Sequence, residues 1–442
     1  MINFNFDFYE IVVWVATIVM CLIAVAARSL PLKARGGLGQ PLPNPIAVLL
    51  PITFFVSFAG LRKTIGDTFF YMYSFENLPD KNTVNIQMIL DGQMYAFIQN
   101  LIRNMTDDPQ VLIFVCAVIA LVPPLIILYI YSAPFELSIF LFFAYGYLGG
   151  MMDGMRQYMA AAILLLGTRF LFSMKRGAFL KYSVFVILAY FMHSSALLML
   201  LIFFVVRRRS WKMSSYFIVL GSVVVAVCFD KILPSFLGAL EETSYSTYAN
   251  NGWFTNGTEG GSSFFRVIVA VAPIVVAYLN RERMKRLGHI GDILINMAFL
   301  NAAIYIVASY NWIFARLAIY MSVYYIILTG WVVTYAVKPQ DRAIYTTGTV
   351  ILFFLFSRFM AYQINMYQSD YMKSPEEYAV VLTPTEKKVL KLMVDGLSYE
   401  QIGEKLNKKV GTVKYHTSGI YRKLGVKNRQ QAVKRAAQIE WM

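Results

Sequence analysis

Charge is scarce in this sequence. Asp, Glu, Lys and Arg make up 15% of its 442 residues, and 58% are hydrophobic, whereas soluble globular proteins carry roughly 25% charged residues. With a mean hydropathy of +0.55, two or three soluble domains are excluded, because no soluble core absorbs so many long apolar runs. Cysteine and histidine are scarcer still, with three of each. Cys21, Cys116 and Cys228 all lie in apolar stretches and show neither disulfide-framework nor metal-site spacing. His193, His289 and His416 are scattered, so neither a metal nor another cofactor is expected. A cleavable signal peptide is missing too. Acidic residues precede the first apolar run, and Arg28, Lys33 and Arg35 follow it, the reverse of the secretory order. That run reads as a permanent span with its N-terminal end outside.

The hydrophobic residues fall into about a dozen segments, near 8–27, 45–60, 111–131, 134–150, 157–173, 178–192, 194–206, 213–231, 263–280, 290–309, 312–336 and 343–361. A bilayer accepts roughly 20 apolar residues per helical span. The expected fold is all-α: a polytopic membrane bundle over residues 1–365, a linker at 366–380 and a small four-helix domain at 381–442. The net charge of +15 gains meaning from its placement. From Asp370 to Met442 there are 14 Lys/Arg against 8 Asp/Glu. Much of the remaining excess lies in short loops. Lys175, Arg176 and Lys181 flank the start of 178–206, and Arg207, Arg208 and Arg209 follow its end. Reading this stretch as a hairpin keeps both clusters cytoplasmic, as positive-inside bias favours. The run Arg281, Arg283, Lys285, Arg286 and the pair Lys338/Arg342 then fall inside as well. The polar stretches 61–110 and 232–262 fall outside, the second with Tyr245, Tyr248 and Trp253. An even number of spans from an external N-terminal end leaves the tail outside, although its basic charge favours the cytoplasm. The expectation is therefore that one segment is miscounted, or that the last, interrupted by Arg358, does not cross.

Several charges sit at the outer mouths of apolar runs: Arg62, Asp67, Arg156, Arg316 and, at the hairpin turn, His193. Ionisable groups at membrane depth face wet cavities or partners. Arginines converging on one face suit an anionic ligand such as a lipid-linked pyrophosphate, which guanidinium grips through paired hydrogen bonds. Arginines at span ends also snorkel to headgroups, so the residues alone indicate a polar site and no more.

The string Gly60-Leu61-Arg62-Lys63-Thr64-Ile65-Gly66-Asp67-Thr68 with Tyr71, then Arg156-Gln157 with Ala160-Ala161, then Phe191-Met192-His193-Ser194-Ser195-Ala196 resemble, in order, elements of the EpsG family of Wzy-like exopolysaccharide polymerases. Lys63 departs from that pattern, which has an aromatic residue there. The resemblance implies a GT-C-like, metal-independent glycosyltransferase in the bacterial plasma membrane. Such enzymes join oligosaccharide repeat units carried on undecaprenyl pyrophosphate. By that resemblance Arg62, Arg156 and Arg316 hold the pyrophosphate, Asp67 or His193 acts as base, and Gln157, Tyr71 and Tyr248 contact substrate.

After Tyr378 the pattern changes. Thr383-Pro384-Thr385-Glu386 is a capping box with Pro at the first helical position. Three more short helices follow, set off by Gly396, Ser398, Gly425 and Asn428. Leu382 to Leu390, Gly396-Leu397-Ser398, Thr412 to His416 and Ile420 to Val426 look like a LuxR-type helix-turn-helix domain. That resemblance puts the third helix in a DNA major groove, with Lys409, Thr412, Lys414, Tyr415, Lys423 and Arg429 near bases or phosphates and His416 in the core. A dimer through the fourth helix is compatible with such binding. At Asn407-Lys408-Lys409-Val410 the family usually has an apolar residue and then Ser. The leading reading is a membrane polysaccharide polymerase with a fused DNA-binding tail. The alternative is a membrane-tethered LuxR-type transcription regulator whose bundle is a sensor.

Overall fold

The computed structural model describes residues 6–32, 36, 39–79, 84–229, 263–360, 364, 366–372, 382–424, 426 and 428–438. Every regular element among them is helical. The chain divides into two compact units, Met1–Tyr367 and Gln368–Met442.

In the first unit the helices are α1 (Phe8–Ala27), α2 (Ile46–Gly60), α3 (Thr68–Glu76), α4 (Met94–Arg103), α5 (Pro109–Tyr131), α6 (Phe135–Ala144), α7 (Tyr147–Asp153), α8 (Met155–Leu166), α9 (Ala178–Met192), α10 (Leu198–Val206), α11 (Met213–Val227), α12 (Phe264–Leu279), α13 (Gly288–Ala308), α14 (Ile319–Trp331) and α15 (Arg342–Met360), with single turns between some of them. Five stretches are long and apolar enough to cross a membrane: Phe8–Ala27, Pro109–Tyr131, Arg281–Ala308, Trp312–Ala336 and Pro339–Met360. The bent pair α6 and α7 is either a broken sixth span or a re-entrant loop, and among the described residues six further apolar helices are shorter than a full span. The unit is a membrane protein by this composition, with aromatic and aliphatic side chains exposed on its flanks, such as Leu22, Leu201 and Phe217.

Local sequence explains the breaks. Asp108 caps α5, accepting a hydrogen bond from the Gln110 N–H at 2.9 Å, with Pro109 at the first helical position. Gly146 separates α6 from α7 with φ of +89°, a conformation that costs a residue with a Cβ dearly, and the two helices bend by 43° there. His193 is extended, φ −154° and ψ 119°, and stops α9. The chain then doubles back: Phe179 at the start of α9 packs on Phe204 near the end of α10 at 4.7 Å, and Tyr182 on Phe203 at 5.3 Å. The expected hairpin over 178–206 is therefore present.

The same logic fixes the ends of the bundle. Glu10 at the start of α1 is ion-paired with Arg358 near the end of α15, and Trp14 packs on Phe354 at 5.3 Å. The end of α15 thus meets the start of α1. Helix α15 continues to Met360, two residues past Arg358, whose charge is paired with the buried Glu10 carboxylate. Tyr367 stacks on Phe58 at 4.2 Å and contacts Tyr9 at 4.9 Å. The starts of α1, α8 and α12 and the ends of α2, α7 and α15 share one level. The opposite level carries the Lys/Arg-rich loops. There Arg28 pairs with Glu136 at 2.8 Å, and Arg207 donates to the carbonyls of Leu171 and Ser173.

The second unit holds α16 (Pro384–Val394), α17 (Tyr399–Lys405), α18 (Val410–Leu424) and α19 (Arg429–Gln438). Both capping boxes form, Thr383 with Glu386 and Ser398 with Gln401. Leu382, Val389, Leu390, Met393, Ile402, Val413, Ile420 and Leu424 make one core with Ala432 and Ala436. Asn407 takes a positive φ of 51° after α17, the left-handed position that Asn tolerates and that turns the chain into α18.

Candidate functional site

A cavity of about 530 Å³ opens within the first unit, on the level that carries the start of α1. Its charged lining residues are Glu10, Asp153, Arg266 and Arg316, joined by Gln157 and by tyrosines 145, 147, 158 and 305. That volume and mixture of apolar wall with a few converging polar groups suit a small-molecule site.

Each polar group has a structural reason for its place. Arg316 lies in the 3-10 turn Trp312–Ala318 that joins α13 to α14. Asn311 caps this turn by accepting from the Ile313 N–H at 3.0 Å, and the guanidinium lies over the Trp312 ring at 5.3 Å. Gln157, buried at the start of α8, donates to the Arg316 carbonyl at 3.0 Å and approaches the Ser195 hydroxyl at 3.4 Å. Ser195 also bonds His193 Nδ1 at 2.8 Å and the Tyr320 hydroxyl at 2.7 Å. The hairpin tip, α8 and the Arg316 turn are thereby one hydrogen-bonded unit. Asp153 closes α7 beside the Ile65-Gly66-Asp67 loop: a Cβ on Gly66 would lie 2.3 Å from Asp153 Oδ1. Asp153 is within electrostatic reach of Arg316 and Asp67. Gly150 lets Tyr158 in, since a Cβ there would stand 2.1 Å from the Tyr158 hydroxyl. Arg266, in the first turn of α12, meets the Met360 sulfur at 3.2 Å.

The residues expected from sequence separate into two groups. Gln157 and Arg316 line the cavity. Arg62 does not: it is fully buried, donating to Thr68 Oγ1 at 2.9 Å and to the carbonyls of Ala59 and Met152. Its guanidinium ties the end of α2 to α7. Arg156 is exposed at the start of α8, hydrogen-bonded to Tyr71 and 5.7 Å from the Tyr95 ring. Burial pushes the Tyr71 phenol up, against the pull of Arg156. Asp67 is exposed at the head of α3. His193, between the two hairpin helices, is pushed down to about 4 by burial and by the positive charges of Arg156 and Arg316, so it is neutral near pH 7. Neither Asp67 nor His193 lines the cavity. Tyr248 lies outside the described residues. Sequence reasoning missed Asp153, Arg266 and Glu10, although the rule that picked Arg316, an ionisable residue within an apolar run, also covers Arg266 and Glu10. Among the described residues no cluster of His, Cys, Asp or Glu could hold a metal.

In the second unit α18 buries Val413, Thr417, Ile420 and Leu424 and exposes Thr412, Lys414, Tyr415 and Ser418. Tyr415 is 77% exposed, and Lys408 and Lys409 are exposed just before the helix. This is the stripe that a recognition helix offers. Lys423 and Arg429 are placed differently. Lys423 pairs with Glu386 at 2.6 Å, and Arg429 donates to the carbonyls of Met393 and Leu397 at 3.1 and 2.6 Å, satisfying the open end of α16. His416 is half-buried, edge-on to Tyr415.

Comparison with known proteins agrees with both units. The EpsG family matches residues 46–372, and the luxR family of bacterial regulatory proteins matches residues 380–436. The Transcriptional regulatory protein DesR of Bacillus subtilis (strain 168) is 38% identical over 76 residues, covering 17% of this chain and 38% of that protein. The Transcriptional regulatory protein DegU of Brevibacillus brevis is 44% identical over 62 residues, 14% of this chain and 26% of that protein. The chain spans less than half the length of these curated relatives. No solved structure matches. The chain belongs to the EpsG family and carries a luxR-family helix-turn-helix module at its C-terminal end.

Proposed function

We propose that the first unit is a polysaccharide polymerase of the bacterial plasma membrane, acting on saccharide repeat units linked to undecaprenyl pyrophosphate. The observation that carries this reading is the cavity that joins two arginines, Arg266 and Arg316, to the carboxylates of Asp153 and Glu10. The arginines hold the pyrophosphate and stabilise its charge as it departs, an electrostatic effect that is strong in a water-poor site. Asp153 takes the proton of the acceptor hydroxyl. The acceptor oxygen bonds the anomeric carbon, the bond from that carbon to the pyrophosphate oxygen breaks, and undecaprenyl pyrophosphate leaves with the electron pair. Gln157, Ser195 and Tyr320 position the Arg316 turn. Arg62 acts at one remove, by holding α2 against α7. Arg156 and Tyr71, outside the cavity, form an outer contact for the saccharide chain.

The test is polymer length in cells carrying Asp153→Asn or Arg316→Ala at normal protein abundance. Polymer loss with unchanged abundance supports the reading; a normal polymer ladder rejects it.

A second reading, a membrane-tethered regulator, is favoured by the exposed stripe Thr412, Lys414 and Tyr415. Promoter binding needs the module in the cytoplasm, whereas loop charges with an even span count leave it outside. A one-sided reporter at Met442 tests it: an external signal rules out direct gene regulation and leaves the polymerase with the module as an appendage, and a cytoplasmic signal keeps DNA binding and puts the span count off by one.

A further inference from the structure

Glu10 belongs to α1, ahead of the segment that the EpsG family matches. It nevertheless lines the cavity. The residue is 2% exposed, and its Oε1 is ion-paired with Arg358, itself fully buried. Its second oxygen, Oε2, has no hydrogen-bond partner among the described residues. A buried carboxylate oxygen without a donor is costly, and native proteins rarely leave one so. Ser357, Tyr145, Arg316 and Asp153 line the same cavity. The ion pair with Arg358 fixes the orientation of the Glu10 carboxylate. What such an oxygen lacks is an O–H or N–H donor brought by a ligand. An anion cannot supply one; a sugar hydroxyl can.

We propose that Glu10 is a saccharide-binding residue, accepting a hydroxyl hydrogen bond from a sugar of the lipid-linked repeat unit while Arg266 and Arg316 hold its pyrophosphate. This inference rests on the polymerase reading and adds a substrate contact from a helix outside the family-matched segment. The cavity then takes up both the pyrophosphate and a sugar hydroxyl, so affinity for the sugar-bearing lipid exceeds affinity for the bare lipid.

The experiment uses the full chain in lipid nanodiscs. Binding of undecaprenyl pyrophosphate without sugar is compared with binding of the repeat-unit lipid extracted from the producing cells. Wild type is expected to bind the sugar-bearing lipid more tightly. Glu10→Gln, which preserves shape, should lose about tenfold of that advantage, as befits a hydrogen bond to a charged group, and bind the bare lipid as before. The exchange Glu10→Arg with Arg358→Glu restores the ion pair but not an acceptor at position 10. Normal membrane abundance with the sugar advantage still absent supports the proposal. Full recovery of the advantage in the exchanged protein means that the pair is structural only, and overturns it. An unchanged advantage in Glu10→Gln also overturns it and leaves the polymerase reading standing. Binding of neither lipid by wild type defeats that reading and this inference together.

Discussion

The two units use basic residues in the same divided way, although one is built in an apolar environment and the other in water. In the membrane unit Arg62 and Arg358 are fully buried and engaged by the fold, whereas Arg266 and Arg316 line the cavity. In the helix-turn-helix unit Lys423 and Arg429 close internal contacts, whereas Lys409 and Lys414 are exposed. A motif nominates all of these residues alike, because fold and ligand both favour guanidinium and ammonium. Only the donor–acceptor geometry separates them. The difference between the units lies in cost. A buried arginine in the bundle without its carbonyl or carboxylate partners leaves a charge in an apolar interior, whereas an exposed lysine on α18 has water as an alternative.

That comparison is broken or sharpened first at the arginines of the bundle. Arg316→Ala should lower the polymerisation rate by about 10²–10³-fold at unchanged abundance, the range seen when one preorganised charge donor is removed. Arg62→Ala should instead lower membrane abundance and thermal stability, by about 1–3 kcal/mol, with the remaining folded protein still active. Quantifying both variants by immunoblot and polymer ladder exchanges or confirms their roles. Next in size is Arg429→Ala, which uncaps α16 and should cost the module about 1–3 kcal/mol, read as earlier melting of its helical signal in the full chain. Lys414→Ala should leave that melting unmoved. It should weaken binding of a DNA duplex by roughly tenfold or less and reduce the salt slope by about 1.

The smallest effect is one of pH. Burial pushes the Glu386 carboxyl up, but hydrogen bonds from Lys423 and the Thr383 N–H outweigh it and hold the carboxyl below its ordinary value of 4.5. The unfolded chain therefore takes up this proton first as pH falls. The stabilisation is complete above about pH 4.5 and is lost as pH drops through the folded value. Melting curves from pH 6 to pH 3 should show wild type losing more stability than Glu386→Gln. An identical decline would detach this pair from the stability of the module.

Much of this architecture is legible in the sequence. Apolar runs mark the helices of the bundle, and the two capping boxes with Pro384 mark the module. The hairpin at 178–206 is legible from its flanking charges, since placing Lys175 and Arg207 on one side requires the chain to turn back near His193. The site is legible only in part. Arg316 stands out because it interrupts an apolar run, but nothing local distinguishes it from Arg62. Arg62 is tied down by Thr68, six residues on, and by Met152, 90 residues away. Asp153 is invisible because it ends a helix that a positive-φ glycine bends into the cavity. Glu10 and Arg358 each look like interruptions of a span, and their pairing across 348 positions is a tertiary fact that no local pattern encodes.

The central claim is that the Arg266–Arg316–Asp153 cavity polymerises a lipid-linked saccharide. Its most direct test is reconstitution of the full chain in proteoliposomes with the extracted repeat-unit lipid as sole substrate, followed by measurement of product length. The account predicts chains of many repeats from wild type and only single repeats from Asp153→Asn and Arg316→Ala. Wild-type chain lengths from both variants, or no product from well-folded wild-type protein, would contradict it.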